Sequence, residues 1–287
     1  MSSIRESVPA SVPLAGGGAR ASAFAQELGL VACLWKREML RVARERSRWL
    51  GALAQPLLFW IITGTGMAKS FRIPGHEEVT AMQYFFPGML VMIILFTTIF
   101  STISVVEDRQ QGFLQSVLVA PGSRAALVIG KVLGVTTIAA AQVALFFPLS
   151  LASGFTLAGV RWGALVAVTL IATIGLTAMN FTVAWVLNSV QAYHAIMGVV
   201  LIPMWFLSGA MFPPPGGVLG LIMRANPLTY AVDGLRAALD PHSLGVPGLP
   251  LPVVLLVLLL YAIAMIAVAT AACRRKGEHP ERAHRAS

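Results

Sequence analysis

Long stretches of this chain carry no charged residue, and that absence limits the fold more than any motif does. Residues 49–68 lie between Arg48 and Lys69, and residues 79–106 lie between Glu78 and Glu107. From Trp162 to Met223 the only ionisable acid or base is His194. A charge near mid-bilayer costs several kcal/mol, so charge-free windows of about 20 apolar residues mark membrane-crossing helices. Composition agrees, because 57% of the residues are hydrophobic and only 11% charged, where soluble domains carry about 25% charge. Too few polar side chains remain to cover a globule, which excludes a soluble enzyme.

The windows predict six spans, at about 49–69, 84–106, 125–152, 162–187, 195–212 and 252–273. The polar run Asn188, Ser189, Gln191, Tyr193, His194 separates the fourth from the fifth. Lys131, inside the third, is expected close enough to one end to snorkel to the headgroups. The runs are continuous rather than alternating, which favours helices over a barrel. The fold class is therefore all-α integral membrane, with six transmembrane helices, an N-terminal amphipathic interface helix and a short re-entrant or outer helical segment before the last span. Residues 1–24 form a tail of disordered composition, 25–275 the transmembrane domain, and 276–287 a basic tail. Of twenty-one Lys and Arg, sixteen fall at the two termini or around the loop between the second and third spans. The positive-inside rule then puts both termini in the cytoplasm, and the chain is expected as a multi-pass protein of the cytoplasmic (inner) membrane. The net charge of +9 thus reads as a topology signal and an attraction to membrane lipid. No nucleic-acid partner follows, since no aromatic stacking platform accompanies the basic residues.

Three segments outside the spans carry pattern. Leu28, Val31, Ala32, Trp35, Met39 and Val42 make one apolar stripe, with Lys36, Arg37, Arg41, Arg44 and Arg48 on the other side, as in a helix lying flat on the inner leaflet. Residues 107–124 place Phe113, Leu114, Val117 and Leu118 at helical spacing between Gly112 and Pro121. That segment is too short to cross, and its apolar face needs a cover of lipid or protein. On the far side, Asn226 before Pro227 is a helix start, and Asp233 stands at i, i+3 from Arg236. Gly130 with Gly134, and Gly159 with Gly163, permit close helix approach. Phe96, Phe100, Phe146, Trp205 and Phe206 are candidate pathway-lining residues within spans that offer almost no charge. Cys33 and Cys273 have no histidine partner at metal spacing, so no metal site is expected and neither cysteine is assigned a role.

The string from Glu107, Asp108 and Arg109 through Gly112, Phe113, Leu114, Val117, Leu118, Pro121 and Arg124, followed by Gly130 and Lys131, resembles the first cytoplasmic loop of ABC-2 type permeases. Asn226-Pro227-Leu228-Thr229-Tyr230, with Asp233 and Arg236 beyond it, resembles the segment before the last span in the drug-exporter branch. Two departures are Asp108, where many members have a basic residue, and Gln111, where an acid is common. The resemblance covers about residues 30 to 275. It implies the membrane subunit of an ATP-driven exporter: a dimer with a second permease copy, itself or a paralogue, worked by a separate ABC ATPase subunit. The apolar face of the loop would enter a groove on that ATPase, with Glu107 and Arg109 fixing its base. Asn226, Pro227, Tyr230, Asp233 and Arg236 would form an outer gate. No P-loop exists here, because Val132 follows Lys131 and Ala125 stands where the first glycine is required. Hence no cofactor and no catalytic residue is expected in this chain, and ATP and Mg belong to the partner. The cargo expected for efflux is a hydrophobic or amphipathic compound. The alternatives are a polysaccharide or glycolipid exporter and, further off, an integral-membrane enzyme, for which His76, Glu77 and Glu78 are the nearest approach to a reactive cluster.

Overall fold

A computed structural model gives the architecture and describes residues 18–73, 77–112, 123–213, 216–240 and 249–275. The apolar loop residues Phe113, Leu114, Val117, Leu118 and Pro121, most of the predicted N-terminal tail and the C-terminal tail from residue 276 lie outside the described residues. Among the described residues every regular element is a helix.

Helix α1 (Gly18–Arg44) breaks at Glu45 and is followed by α2 (Arg46–Gly66). Helix α3 (Ala81–Gln110) starts where the Thr80 hydroxyl accepts from Gln83 N–H at 3.1 Å, an N-cap. It stops at Gly112, whose φ of 74° is readily available only to glycine. Helix α4 (Arg124–Phe146) is capped by Ser123, and Pro148 divides it from the single turn α5 (Leu149–Ala152). The stretch expected as one span over 125–152 is thus interrupted near its far end, because proline cannot donate to the helix ladder. Helix α6 (Trp162–Val186) and α7 (Val190–Trp205) meet at the expected polar break, with Ser189 capping α7. A π-helical turn, Phe206–Ala210, follows α7 and contains Gly209 at φ 80°. The pair α8 (Gly217–Ala225) and α9 (Pro227–Leu239) precedes α10 (Leu251–Arg275).

Five helical stretches are long and apolar enough to cross a membrane: Ala81–Gln110, Arg124–Phe146, Trp162–Val186, Val190–Ala210 and Leu251–Arg274. The first of the six predicted spans coincides with α2, whose apolar part, Leu50–Gly66, is shorter. In α3, 89% of the apolar window is buried, against 17% in α10, so α3 is the central post and α10 a rim helix. Close crossings occur where glycine leaves no Cβ. A methyl group at Gly175 of α6 would meet the Tyr261 ring of α10 at 2.7 Å, and one at Gly88 would meet Ala210 Cβ at 2.6 Å.

The largest difference from expectation concerns α1. It runs along α4 in the same chain direction, with Glu27 beside Ser123, Leu34 over Gly130 and Glu38 over Gly134. The Gly130 and Gly134 groove is therefore filled from within the chain. Two of the basic side chains of α1, Arg37 and Arg41, face protein, while Leu28 and Trp35 of its apolar stripe stay exposed. Amphipathic periodicity marks two faces, and here the polar face found buried opposite charges across the bundle.

Candidate functional site

The loop that begins at Gln111 leaves α3 and re-enters the bundle at α4, and both stems are fastened by charge. At the first stem, Asp108 accepts hydrogen bonds from Arg37 at 2.7 Å and Arg41 at 2.8 Å, both on α1. Its neighbour Arg109 points the other way. One guanidinium nitrogen donates to the Leu187 carbonyl at 2.9 Å, the other to the Trp185 carbonyl, and the group lies 5.2 Å from the Trp185 ring centroid. These carbonyls close the C-terminal end of α6, where unpaired C=O groups and the helix dipole favour a cation. Gln110 adds a bond to the Asn188 carbonyl at 3.0 Å, and the Glu107 carbonyl accepts from Gln111 N–H at 3.0 Å.

The second stem repeats the device, again on α1 and now on α10 instead of α6. Ser123, the cap of α4, donates to the Glu27 carboxylate through its N–H at 2.8 Å and its hydroxyl at 2.6 Å. Arg124 donates to the Cys273 and Arg274 carbonyls, both at 2.7 Å, at the C-terminal end of α10. About two turns further in, Lys131 does not snorkel outward. It is buried, donating to Glu38 of α1 at 2.7 Å and to the Ser104 hydroxyl of α3 at 2.6 Å. Five helices thus meet at the two stems: α3 and α4 carry them, and α1, α6 and α10 hold them. Charge-assisted bonds of this kind are the stronger class of hydrogen bond.

Sequence reasoning picked Asp108, Arg109, Arg124 and Lys131 and missed Glu38, the acceptor of Lys131, and Glu27, the acceptor of the cap residue Ser123. Those two were the visible signal, since they are acids on a helix segment otherwise rich in Lys and Arg. A close backbone fit accompanies the ion pairs: a methyl group at Gly134 would sit 2.7 Å from Glu38 Cβ. Gly134→Leu is therefore expected to pry α1 from α4 at a cost of about 1–3 kcal/mol. A lowered thermal midpoint of the purified chain in detergent measures it, and an unchanged midpoint would show that the contact carries no weight.

On the opposite end of the bundle the residues singled out in the second motif come together around the π-helical turn. Asn226 caps α9, its Oδ1 accepting from Leu228 N–H at 2.9 Å while its Nδ2 donates to the Met204 carbonyl at 2.5 Å. Pro227 takes the first helical position, as expected. Tyr230 donates from its hydroxyl to the Arg224 carbonyl at 2.7 Å, joining α9 to α8. Arg236 is buried. It donates to the Gly209 carbonyl at 2.6 Å, lies 4.5 Å from the Tyr84 ring centroid and has Asp233 3.6 Å away. Irregular backbone at membrane depth needs protein to satisfy it, and Arg236 supplies that here.

The aromatic candidates for a pathway wall divide by exposure. Phe96 and Phe100 stack on each other at 5.9 Å, Phe146 is buried against Phe86 at 5.7 Å, and buried Trp205 donates to the Gly88 carbonyl at 2.9 Å. Phe206 is the open one, at 40% exposure. Between α3 and its neighbours runs a set of uncharged polar pairs: Thr97 with Gln142, Thr98 with Asn180 at 2.8 Å, and Thr102 with Tyr193 at 2.6 Å. Among the described residues no group of three or more His, Cys, Asp and Glu is placed to hold a metal ion.

The family model for ABC-2 type transporters matches residues 30–239. The chain is a member of the ABC-2 type transporter family. Relatives of this ABC-2 chain include a protein named transport permease ycf38 in Cyanophora paradoxa, 28% identical over 219 residues, which are 74% of either chain. The protein of the same name in Porphyra purpurea is 27% identical over 213 residues, 72% of either chain. Nodulation protein J of Rhizobium meliloti (strain 1021) is 25% identical over 251 residues, 85% of this chain and 92% of that one. The chain is accordingly a transporter membrane subunit with several apolar helices. The matched region takes in both fastened stems and the Asn226–Arg236 segment.

Proposed function

We propose that this ABC-2 chain is the permease of an ATP-driven exporter of the drug-exporter-like branch, carrying a hydrophobic or amphipathic compound out across the cytoplasmic membrane. In this reading α2 is the first of six spans, both termini are cytoplasmic, and two permease copies, identical or paralogous, work with separate ABC ATPase subunits that hold ATP and Mg. The observation that carries it is the fastening of both loop stems, Asp108 and Arg109 on one side and Ser123, Arg124 and Lys131 on the other, to α1, α6 and α10. A loop so tied passes a push on residues 113–122 into five helices at once. The 112–121 segment, apolar in sequence, is the part the ATPase would grip. Uncharged pairs between the helices, and candidate wall residues without charge, suit a greasy cargo better than an ionic one.

The test is association. The chain is expected to co-purify with an ATPase subunit, and Leu114→Glu with Val117→Glu is expected to lower recovery of that subunit at least tenfold while the permease itself is retained in the membrane. Undiminished recovery would rule out the grip. In the reconstituted complex, stimulation of ATP hydrolysis by lipophilic drugs supports the cargo proposed, and stimulation by lipid-linked glycans alone supports a glycolipid exporter instead.

A further inference from the structure

Helix α1 touches both stems of the inner loop. Its Arg37 and Arg41 hold Asp108, two residues before α3 ends, and its Glu27 holds Ser123, the residue that starts α4. Between these points Glu38 reaches Lys131, which itself bonds Ser104 of α3, and Trp35 donates to the Thr137 hydroxyl at 3.1 Å. The glycine contacts at 130 and 134 bring the backbones of α1 and α4 close over the same stretch. The signs alternate: α1 presents cations to the acid of α3 and an acid to the cation of α4. By contrast, Arg109 of the first stem donates to the C-terminal end of α6 and Arg124 of the second to that of α10.

We propose that α1 is a splint across the loop: it fixes the separation of the two stems, and Glu27, Glu38 and Asp108 are its positioning residues. A displacement of the loop then moves α3, α4 and α1 as one body. Because α1 runs on through the break at Glu45 into α2, the same displacement reaches α2. The functional weight of the splint rests on the reading of the loop as a handle, but its existence does not.

The experiment uses the full-length chain in lipid nanodiscs with no ATPase present, so its failure is separate from failure of the association test. With Cys33→Ser and Cys273→Ser as background, spin labels are placed at Leu28→Cys on α1 and Ile129→Cys on α4, both exposed positions. A narrow distance distribution is expected. Glu27→Gln is expected to broaden it at least twofold, Asp108→Asn likewise, and Glu27→Asp to restore it. A control pair at Val166→Cys and Leu256→Cys, on the packed α6 and α10, stays narrow in a folded protein. Unchanged width in both Glu27→Gln and Asp108→Asn overturns the proposal. Hydrogen exchange on the unmutated chain gives a second measurement that no folding failure can obscure. Amides 27–41 of α1 and 126–137 of α4 are expected to exchange as one cooperative unit, within about threefold of each other. Exchange of α1 a hundredfold faster, as an independent element, overturns it equally.

Discussion

Replacing Glu38 by alanine is expected to be among the most damaging single changes in this protein. Glu38 and Lys131 are 4% and 6% exposed and lie 2.7 Å apart. Breaking such a pair from one side leaves an uncompensated buried charge, at a cost of about 3–5 kcal/mol. Apolar residues of similar volume on both sides remove the charge and its desolvation together, a change that is often neutral or better. The prediction is a cycle: Glu38→Leu, like Glu38→Ala, lowers stability sharply, Lys131→Met does the same, and Glu38→Leu with Lys131→Met recovers most of the loss. Thermal or denaturant unfolding in detergent, followed by fluorescence, reads all four corners. Additive losses in the double variant would mean that the two groups act separately and that the ion pair is incidental.

The second large effect is expected at Arg236. This side chain is 5% exposed and joins three structures: the Gly209 carbonyl in the π-helical turn, the Tyr84 ring on α3 and Asp233 on its own helix. Arg236→Ala removes the shorter-range donor to the Gly209 carbonyl, leaving the Tyr84 hydroxyl at 3.4 Å, and takes the counter-charge from half-buried Asp233. Arg236→Lys keeps the charge but loses the planar fork that reaches carbonyl and ring together, so little rescue is expected. The turn should then open. Ser208, fully buried now, provides the reporter: in a Cys33→Ser, Cys273→Ser background, Ser208→Cys is expected to react with a water-soluble maleimide at least tenfold faster once Arg236 is replaced. Equal rates would mean that the turn is held by the Tyr84, Gly88 and Asn226 contacts without it.

The long helices were legible because charge exclusion is a local signal. Glu78, Glu107, Arg124, Arg161 and Arg274 bracket apolar stretches, and α3, α4, α6 and α10 begin or end within a few residues of those brackets. The Asn226 cap was legible for the same reason, since capping involves neighbours in sequence. The course of α1 was not. Its face pattern is satisfied equally by water, lipid headgroups or opposite charges, and the partners that decide lie 67 to 96 residues away, at Asp108, Lys131 and Ser123. The break at Pro148 was visible as a proline, yet hydropathy alone runs across it. Of the stems, sequence supplied the donors Arg109 and Arg124. Their acceptors are backbone carbonyls at Leu187 and Cys273, and a carbonyl has no letter in a sequence.

The buried ammonium of Lys131 also has a bearing on biogenesis. Ribosomes build proteins from the amino end, so Glu38 emerges ninety-three positions ahead of the lysine it neutralises. A lone lysine within a hydrophobic helix opposes translocon-mediated insertion, by up to about 2.5–3.5 kcal/mol, the figure for the helix centre. With its carboxylate counterpart already made, that segment can enter the bilayer as a neutral couple.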